Sequence, residues 1–176
     1  QNDLARDYTI SKNKKSVTVT LDSKARFSDG EKVTASDVVF SVNAYKQAGS
    51  KSIYSSYVSC IASVTAKDSS TVKITFNNTG EGGINRLVFP ILPEHKYYSY
   101  ASLSASDETF RPVGSGMYRI AKYDSSRTLI LKPNDEYSGQ KADNRLVFNI
   151  YHGNADIMNL TDGNLVSFSV NKDTER

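Results

Sequence analysis

Residues 27–41 read Phe-Ser-Asp-Gly-Glu-Lys-Val-Thr-Ala-Ser-Asp-Val-Val-Phe-Ser, and this stretch fixes where the first long helix begins. Its Asp29–Gly30 pair is typical of a turn, because glycine tolerates left-handed backbone angles and aspartate hydrogen-bonds nearby backbone. Thr34 is predicted as the N-cap, with a hydroxyl that accepts from the Asp37 backbone N–H. The Asp37 carboxylate would also lie at the positive end of the helix dipole. The stretch therefore predicts a tight turn followed directly by a helix.

Apolar residues at helical spacing follow this start. Val38, Val42 and Tyr45 fall on one stripe of a helix, and the periodicity stops near Gly49. We therefore expect a helix after Thr34 that buries this stripe against the rest of the fold.

Strand patterns lie on both sides of the helix. Apolar and polar residues alternate over 16–21, over 58–64 and over 72–76. The last two runs predict a hairpin through the polar turn at 67–70, with Cys60 as a small buried residue on the strand face.

The remaining sequence continues the alternation of strands and short helices. The predicted elements are a hairpin of 118–123 with 128–132, strands at 146–150 and 166–170, and short helical segments at 84–88, 94–98 and 155–160. Hairpins separated by short helices predict an α+β fold with a mixed, largely antiparallel sheet. Neither a repeat nor a linker divides the chain, so residues 1–176 are predicted as a single domain.

The composition is that of a folded chain without a strong electrostatic preference. Hydrophobic residues make up 38% and charged residues 23% of 176 residues, which suffices for a core. The net charge of +3, from scattered basic residues, gives no support for nucleic-acid binding. The lone Cys60 and two histidines are too few for a disulfide or a Cys/His metal site. No apolar run is long enough to predict a membrane-spanning helix.

Enzyme motifs are not found in this sequence. Ser115 lies between Gly114 and Gly116, but a nucleophile elbow has one residue between each glycine and the serine. His95 and His152 have no nucleophile or carboxylate partner in a local motif. The glycine spacings match neither a Walker loop nor a dinucleotide fingerprint. We therefore predict no catalytic residue, cofactor or metal, and interpret Gly114–Gly116 as a turn that lets backbone approach backbone or ligand.

Several segments, in order, resemble the extracellular solute-binding proteins of family 5, the oligopeptide-, dipeptide- and nickel-binding components of ABC importers. The stretch at 27–41 resembles the family's "Phe-Ser-Asp-Gly-x-x-hydrophobic-Thr-Ala-x-Asp-Val" signature. The other matching segments are 4–8, 91–95 (Ile-Leu-Pro-Glu-His), 112–118 (Pro-Val-Gly-Ser-Gly-Met-Tyr), 134–137 (Asn-Asp-Glu-Tyr) and 160–168. Met117 departs from the proline usual in the family, which leaves that turn less rigid.

The resemblance implies a larger architecture than this chain. Family members have two lobes with the ligand in the cleft between them, so we expect residues 1–176 to be a partial domain, a fragment of lobe one of a type II periplasmic-binding-protein fold. The implied function is solute capture for an ABC permease, with a peptide or similar solute as ligand. The implied location is the periplasm or the outer face of the cytoplasmic membrane, with a lipid anchor outside this chain. Because one wall of a cleft lacks half of the contacts, we expect weak or no peptide binding by the chain alone.

The resemblance also suggests ligand-facing residues. It places the segment 53–57 near a cleft-lining tyrosine of the family, which makes Tyr54 and Tyr57 candidates. Ser115, Gly116 and Met117, in the turn before the 118–123 strand, are further candidates. The tyrosine-rich composition, with 11 tyrosines, also allows an extracellular adhesion or carbohydrate-binding module. Such a module would have a complete binding face, whereas a lobe fragment would have unfinished sheet edges.

Overall fold

A computed structural model of the chain describes residues 4–78, 83–97, 112–124 and 128–149. The strands are β1 (Ala5–Ile10), β2 (Ser16–Leu21), β3 (Ile61–Ala66), β4 (Thr71–Phe76), β5 (Tyr118–Asp124), β6 (Thr128–Pro133) and β7 (Leu146–Asn149). The helices are α1 (Ala35–Ala48) and α2 (Ser55–Val58), with single 3-10 turns at Gly49–Lys51 and Ile84–Arg86.

The first sheet contains four antiparallel strands in the order β1-β2-β4-β3. Val17 pairs with Ile74 and Val19 with Val72, so the apolar residues of β2 and β4 share one face. Helix α1 covers that face, and Val42 is fully buried between the helix and the sheet. The predicted strands at 16–21 and 72–76 are confirmed.

Helix α1 begins and ends as the sequence predicts. Thr34 and Asp37 form a capping box in which Asp37 Oδ2 accepts from the Thr34 backbone N–H at 2.8 Å and from its hydroxyl at 2.7 Å. Gly49 ends the helix with a φ of 53°. Left-handed angles of this kind favour glycine because a Cβ would be crowded.

The strand predicted at 58–64 is wrong in its first half. Val58 ends α2, Cys60 precedes β3, and Ala62 is exposed. The register of β3 against β4 shifts between Ile61 and Ser63, and a bulge of this kind changes which side chains face the core. Cys60 is consequently half-buried beside the core, where its thiol lies 3.4 Å from the Tyr57 carbonyl oxygen.

The second sheet has the antiparallel order β5-β6-β7. The predicted strands of the second hairpin are confirmed, as is the strand at 146–150 as far as Asn149. The predicted helix at 155–160 and strand at 166–170 lie outside the described residues. All four residues of β7 are exposed, including Leu146, Val147 and Phe148.

Strand β1 is an element that the sequence patterns do not predict. It pairs with β2 at the sheet edge, and five of its six residues are exposed. A strand without a buried face does not need alternating apolar and polar residues, so its sequence shows no pattern that would predict a strand. Across the described ranges the fold is α+β with antiparallel sheets and few helices, as predicted.

The turn at 27–30 contacts the segment that leads into β5. The Ser28 N–H donates to the Gly114 carbonyl oxygen at 2.8 Å. Val113 packs against a small core cluster that contains the fully buried Phe27, together with Ala25 and Val33. In the described parts of the chain, no helix has the length and apolar character needed to cross a bilayer.

Candidate functional site

A groove of about 640 Å³ opens beside the first sheet. Val19 and Leu21 of β2 and Ile74 of β4 line it on one side, and the segment 84–91 lines it on another. Tyr54 also contributes to the lining. Almost all other lining side chains are apolar, so the groove suits the apolar part of a ligand.

The two predicted tyrosines lie in one aromatic cluster. The ring centroids of Tyr45 and Tyr54 are 5.3 Å apart, and those of Tyr54 and Tyr57 are 6.2 Å apart. Phe89 extends the cluster, with its ring centroid 5.9 Å from that of Tyr45 and the two ring planes at 74°. Tyr54 is half-buried, whereas Tyr57 is 38% exposed and is not among the described residues that line the groove.

A polar stripe on α1 fixes one wall of the groove. Asp37, Ser41 and Tyr45 are four residues apart, so they lie on the same side of the helix. Each bonds the backbone of 90–94: the Tyr45 hydroxyl donates to the Pro90 oxygen (2.9 Å), Ser41 Oγ accepts from the Leu92 N–H (2.7 Å), and Asp37 Oδ1 accepts from the Glu94 N–H (2.8 Å). These contacts attach the backbone of 90–94 to α1, and the first two residues of that segment line the groove. The sequence signal was the spacing of these three polar groups within an apolar stripe.

Burial keeps two phenols of this region neutral. It raises the pKa of Tyr45 far above its usual range, and the nearby Tyr54 adds to the effect. Burial also raises the pKa of Tyr97, although a hydrogen bond with the Val113 backbone opposes the shift. Both groups therefore remain hydrogen-bond donors and are unsuited to act as bases.

His95 has a carboxylate partner that the local motif did not suggest. Its Nε2 lies 2.8 Å from Oδ2 of Asp29, which is 66 residues away in sequence. Burial by itself would raise the pKa of Asp29, but hydrogen bonds from His95 and the Glu31 backbone, with the charge of His95, hold that pKa below its ordinary value. The Phe27 ring also lies against the imidazole, at 5.8 Å between centroids. This pair ties the signature turn to the segment after Pro93. His152 lies outside the described residues.

Hydrogen bonds to its carbonyl oxygens hold the turn at 114–117 in place. The Gly114 oxygen accepts from the Ser28 N–H at 2.8 Å, and the Gly116 oxygen accepts from Asn134 Nδ2 at 2.8 Å. The Met117 oxygen accepts from the Asn134 N–H at 2.9 Å. Asn134 is only 1% exposed, so it is a buried support for this turn. Its position at the start of the Asn-Asp-Glu-Tyr segment was the available sequence signal.

The structure places the five predicted residues in two regions. Tyr54 lines the groove and Tyr57 adjoins it, whereas Ser115, Gly116 and Met117 lie in the turn before β5 and are not part of the described groove lining. Among the described residues, no group of three or more His, Cys, Asp or Glu side chains could hold a metal ion.

Comparison with known sequences identifies a family match over nearly the whole chain and relatives over most of it. Residues 1–175 match the bacterial extracellular solute-binding proteins, family 5 Middle. A Brucella melitensis protein named as a binding protein is 30% identical over 149 residues, which are 83% of this chain and 24% of that protein. A Brucella ovis protein named as an ABC transporter peptide-binding protein is 27% identical over 141 residues, 78% of this chain and 27% of that protein. The chain thus spans about a quarter of these curated relatives.

Solved structures agree with the sequence comparison. NikZ from Campylobacter jejuni, solved in complex with Ni(L-His), has a TM-score of 0.79 and 26% identity, and the match covers 90% of this chain and 32% of NikZ. The Agrobacterium tumefaciens protein AgaA, solved with agropinic acid, has a TM-score of 0.70 and 26% identity over 89% of this chain and 32% of AgaA. The architecture corresponds to part of a two-lobed type II periplasmic-binding-protein fold. With the family match over residues 1–175, this shows that the chain belongs to the bacterial extracellular solute-binding proteins of family 5.

Proposed function

We propose that this chain forms one wall of the solute site in the binding subunit of an ABC importer. The observation that carries the proposal is the family match over residues 1–175. The same match favours this function over an adhesion or carbohydrate-binding module. Such a subunit works by a conformational equilibrium, because a ligand that contacts both lobes favours the closed state.

Peptides are the solute class that we propose. The Brucella ovis relative is named as peptide-binding, and it covers 78% of this chain. The apolar groove beside Tyr54 supports the same choice, since apolar peptide side chains could occupy it. The ligand-facing residues in this proposal are Tyr54, Tyr57, Ser115, Gly116 and Met117.

The proposal extends to the partners and location of the complete protein. Delivery of the solute requires ABC permease subunits, and the protein would act in the periplasm or on the outer face of the cytoplasmic membrane. A lipid anchor outside these 176 residues belongs to the same proposal. Residues 1–176 would form a single partial domain, and the exposed apolar residues of β7 support this, because such a strand is suited to further packing.

Calorimetric titration tests this function on the complete gene product that contains the sequence. The ligand panel is trialanine, pentaalanine, Ala-Phe-Ala, the Ni(L-His) chelate and maltose. We expect peptide binding by the complete protein and much weaker binding by the 176-residue chain. Failure of the complete protein to bind any member of the panel would contradict the function. Equal affinity of the isolated chain would contradict its role as a single wall.

A tyrosine pair makes the test specific to the site. Tyr54→Ala should weaken peptide binding by roughly 5- to 30-fold, which is the usual range for the loss of an aromatic side chain that contributes to binding affinity. Tyr123→Ala is the control, because Tyr123 is 51% exposed on β5 and is not among the described residues that line the groove. An equal effect of the two substitutions would remove Tyr54 from the binding site.

A further inference from the structure

The outer face of the first sheet carries rows of hydroxyl groups. Val17, Val72 and Ile74 are buried on the inner face, so the residues that alternate with them in β2 and β4 point outward. Register partners extend one outward row across all four strands, in the order Thr9, Thr18, Lys73 and Thr65. The next row contains Ser16, Thr75 and Ser63. This face therefore presents hydrogen-bond donors over a continuous surface.

The turn between β1 and β2 adds positive charge at one end of this face. Residues 12–15 read Lys-Asn-Lys-Lys, and the three lysines are exposed. Two side chains hold the turn: Ser11 Oγ accepts from the Ser16 N–H at 3.0 Å, and Asn13 Oδ1 accepts from the Lys15 N–H at 3.1 Å. The lysines are therefore carried by a backbone that is already hydrogen-bonded.

Strand pairing brings further positive charge to the same end. Lys73 is exposed and pairs with Thr18 in the register of β4 against β2. Lys46 Nζ donates to the Ile61 carbonyl oxygen, and Ile61 lies at this end because β3 begins where β4 ends. The ion pairs of the described residues include none formed by Lys12, Lys15 or Lys73. We call this region, with the turn at 12–15 and Lys73, the basic end of the first sheet.

Acidic residues of the described sheet and its turns lie at the other end. The stretches 8–19, 59–66 and 71–78 contain no Asp or Glu. Asp7 is near the start of β1, and Asp68 is in the turn before β4, so both are remote from the turn at 12–15. The sheet is therefore electrically asymmetric, and its basic end is complementary to an anionic surface.

We propose that the basic end of the first sheet binds the phosphate groups of anionic lipids in a bilayer. Ammonium groups are attracted to an anionic bilayer surface, and hydroxyl groups donate hydrogen bonds to phosphate oxygens. The choice of a bilayer rests on the proposed location at the outer face of the cytoplasmic membrane. This contact is additional to the proposed lipid anchor, and it orients the acidic end of the sheet away from the bilayer.

Vesicle sedimentation tests the inference on the complete gene product without lipid modification. Vesicles of phosphatidylcholine with about 30% phosphatidylglycerol are compared with vesicles of phosphatidylcholine alone. We expect binding only to the anionic vesicles, and its loss when NaCl is raised from about 50 to about 500 mM, because salt screens exposed charges. The variant Lys12→Ser, Lys15→Ser, Lys73→Thr should partition roughly 10- to 100-fold less onto the anionic vesicles.

A control variant removes the same charge from the other end of the sheet. It carries Lys24→Ser, Lys32→Ser and Lys67→Ser, which replace exposed lysines between β2 and α1 and in the turn before β4. We expect this variant to bind anionic vesicles nearly as well as the parent. An equal loss in the two variants would show attraction by net charge alone and overturn the inference.

Two further outcomes would also overturn it. One is equal binding of the parent to neutral and anionic vesicles, and the other is binding of soluble polyphosphate without binding of anionic vesicles. Peptide titration keeps this test separate from that of the proposed function, because both triple variants should bind peptides as the parent does. Loss of vesicle binding with intact peptide binding would contradict this inference alone, whereas absence of binding to the whole ligand panel would contradict the proposed function.

Discussion

Substitution of Asp37 by alanine should destabilise the first sheet and the wall of the groove together. Asp37 is 4% exposed, and its carboxylate accepts three hydrogen bonds. Two come from Thr34 and cap α1, and the third comes from the Glu94 N–H, 57 residues away in sequence. One side chain therefore starts the helix and attaches the segment at 90–94 to it.

The expected cost follows from these two roles. Loss of a capping contact costs about 0.5–2 kcal/mol. Leaving a backbone donor such as the Glu94 N–H without its partner costs about 1–3 kcal/mol where water cannot replace the contact. We therefore expect Asp37→Ala to lower the free energy of unfolding by about 2–4 kcal/mol, or Tm by roughly 5–15 °C for a chain of this size.

Urea and thermal denaturation followed by circular dichroism measure this effect. The matched control is Asp135→Ala, because the Asp135 side chain is 78% exposed and its bond to Arg119 is a surface ion pair of 3.3 Å. Such a pair contributes at most about 1 kcal/mol. If Asp37→Ala unfolds at the same urea concentration as Asp135→Ala, the capping and attachment roles assigned to Asp37 are wrong.

The remaining predictions concern two titratable groups, Asp29 and Tyr45. Because the pKa of Asp29 in the fold lies below the ordinary value of an aspartate, its ionised form stabilises the fold at neutral pH, and this stability is lost as the pH falls through the folded-state pKa. Asp29→Asn should therefore make unfolding less dependent on pH below 4, and an acid limb identical to that of the parent would contradict the assignment. Tyr45→Phe removes the hydroxyl bond to Pro90 and should cost about 0.5–1.5 kcal/mol in urea unfolding. Burial also raises the pKa of Tyr45. Near pH 10, where exposed tyrosines ionise, ultraviolet titration of the folded parent should therefore show no phenolate from Tyr45. The parent and Tyr45→Phe should give the same titration amplitude at that pH.

Local sequence patterns were sufficient to predict the elements that depend on residues close together in the sequence. The capping box and the stripe of Val38 and Val42 locate α1 without reference to the rest of the fold. The strands at 16–21 and 72–76 were equally clear, because each buries one face and so alternates along the sequence. The family followed from short motifs in a fixed order, and the match over residues 1–175 confirms it.

Patterns failed where burial and pairing were decided by distant residues. Strand β1 has no buried face, so only its pairing with β2 identifies it. The bulge in β3 reverses the expected exposure of Ala62, because the register depends on the partner strand.

The same distinction holds for the features of the candidate site. The sequence by itself determined the residue types of the site, the start of α1 and the Gly-Ser-Gly turn, since these depend on composition and short spacing. Only the tertiary structure decided that Asp29 meets His95 across 66 residues and that Asn134 supports Gly116. It also showed that Tyr54 lines the groove, whereas Ser115, Gly116 and Met117 are not among the described residues of its lining. The physical reason is that a hydrogen bond or a groove requires atoms within a few ångströms, and the path of the folded chain sets which distant residues come that close.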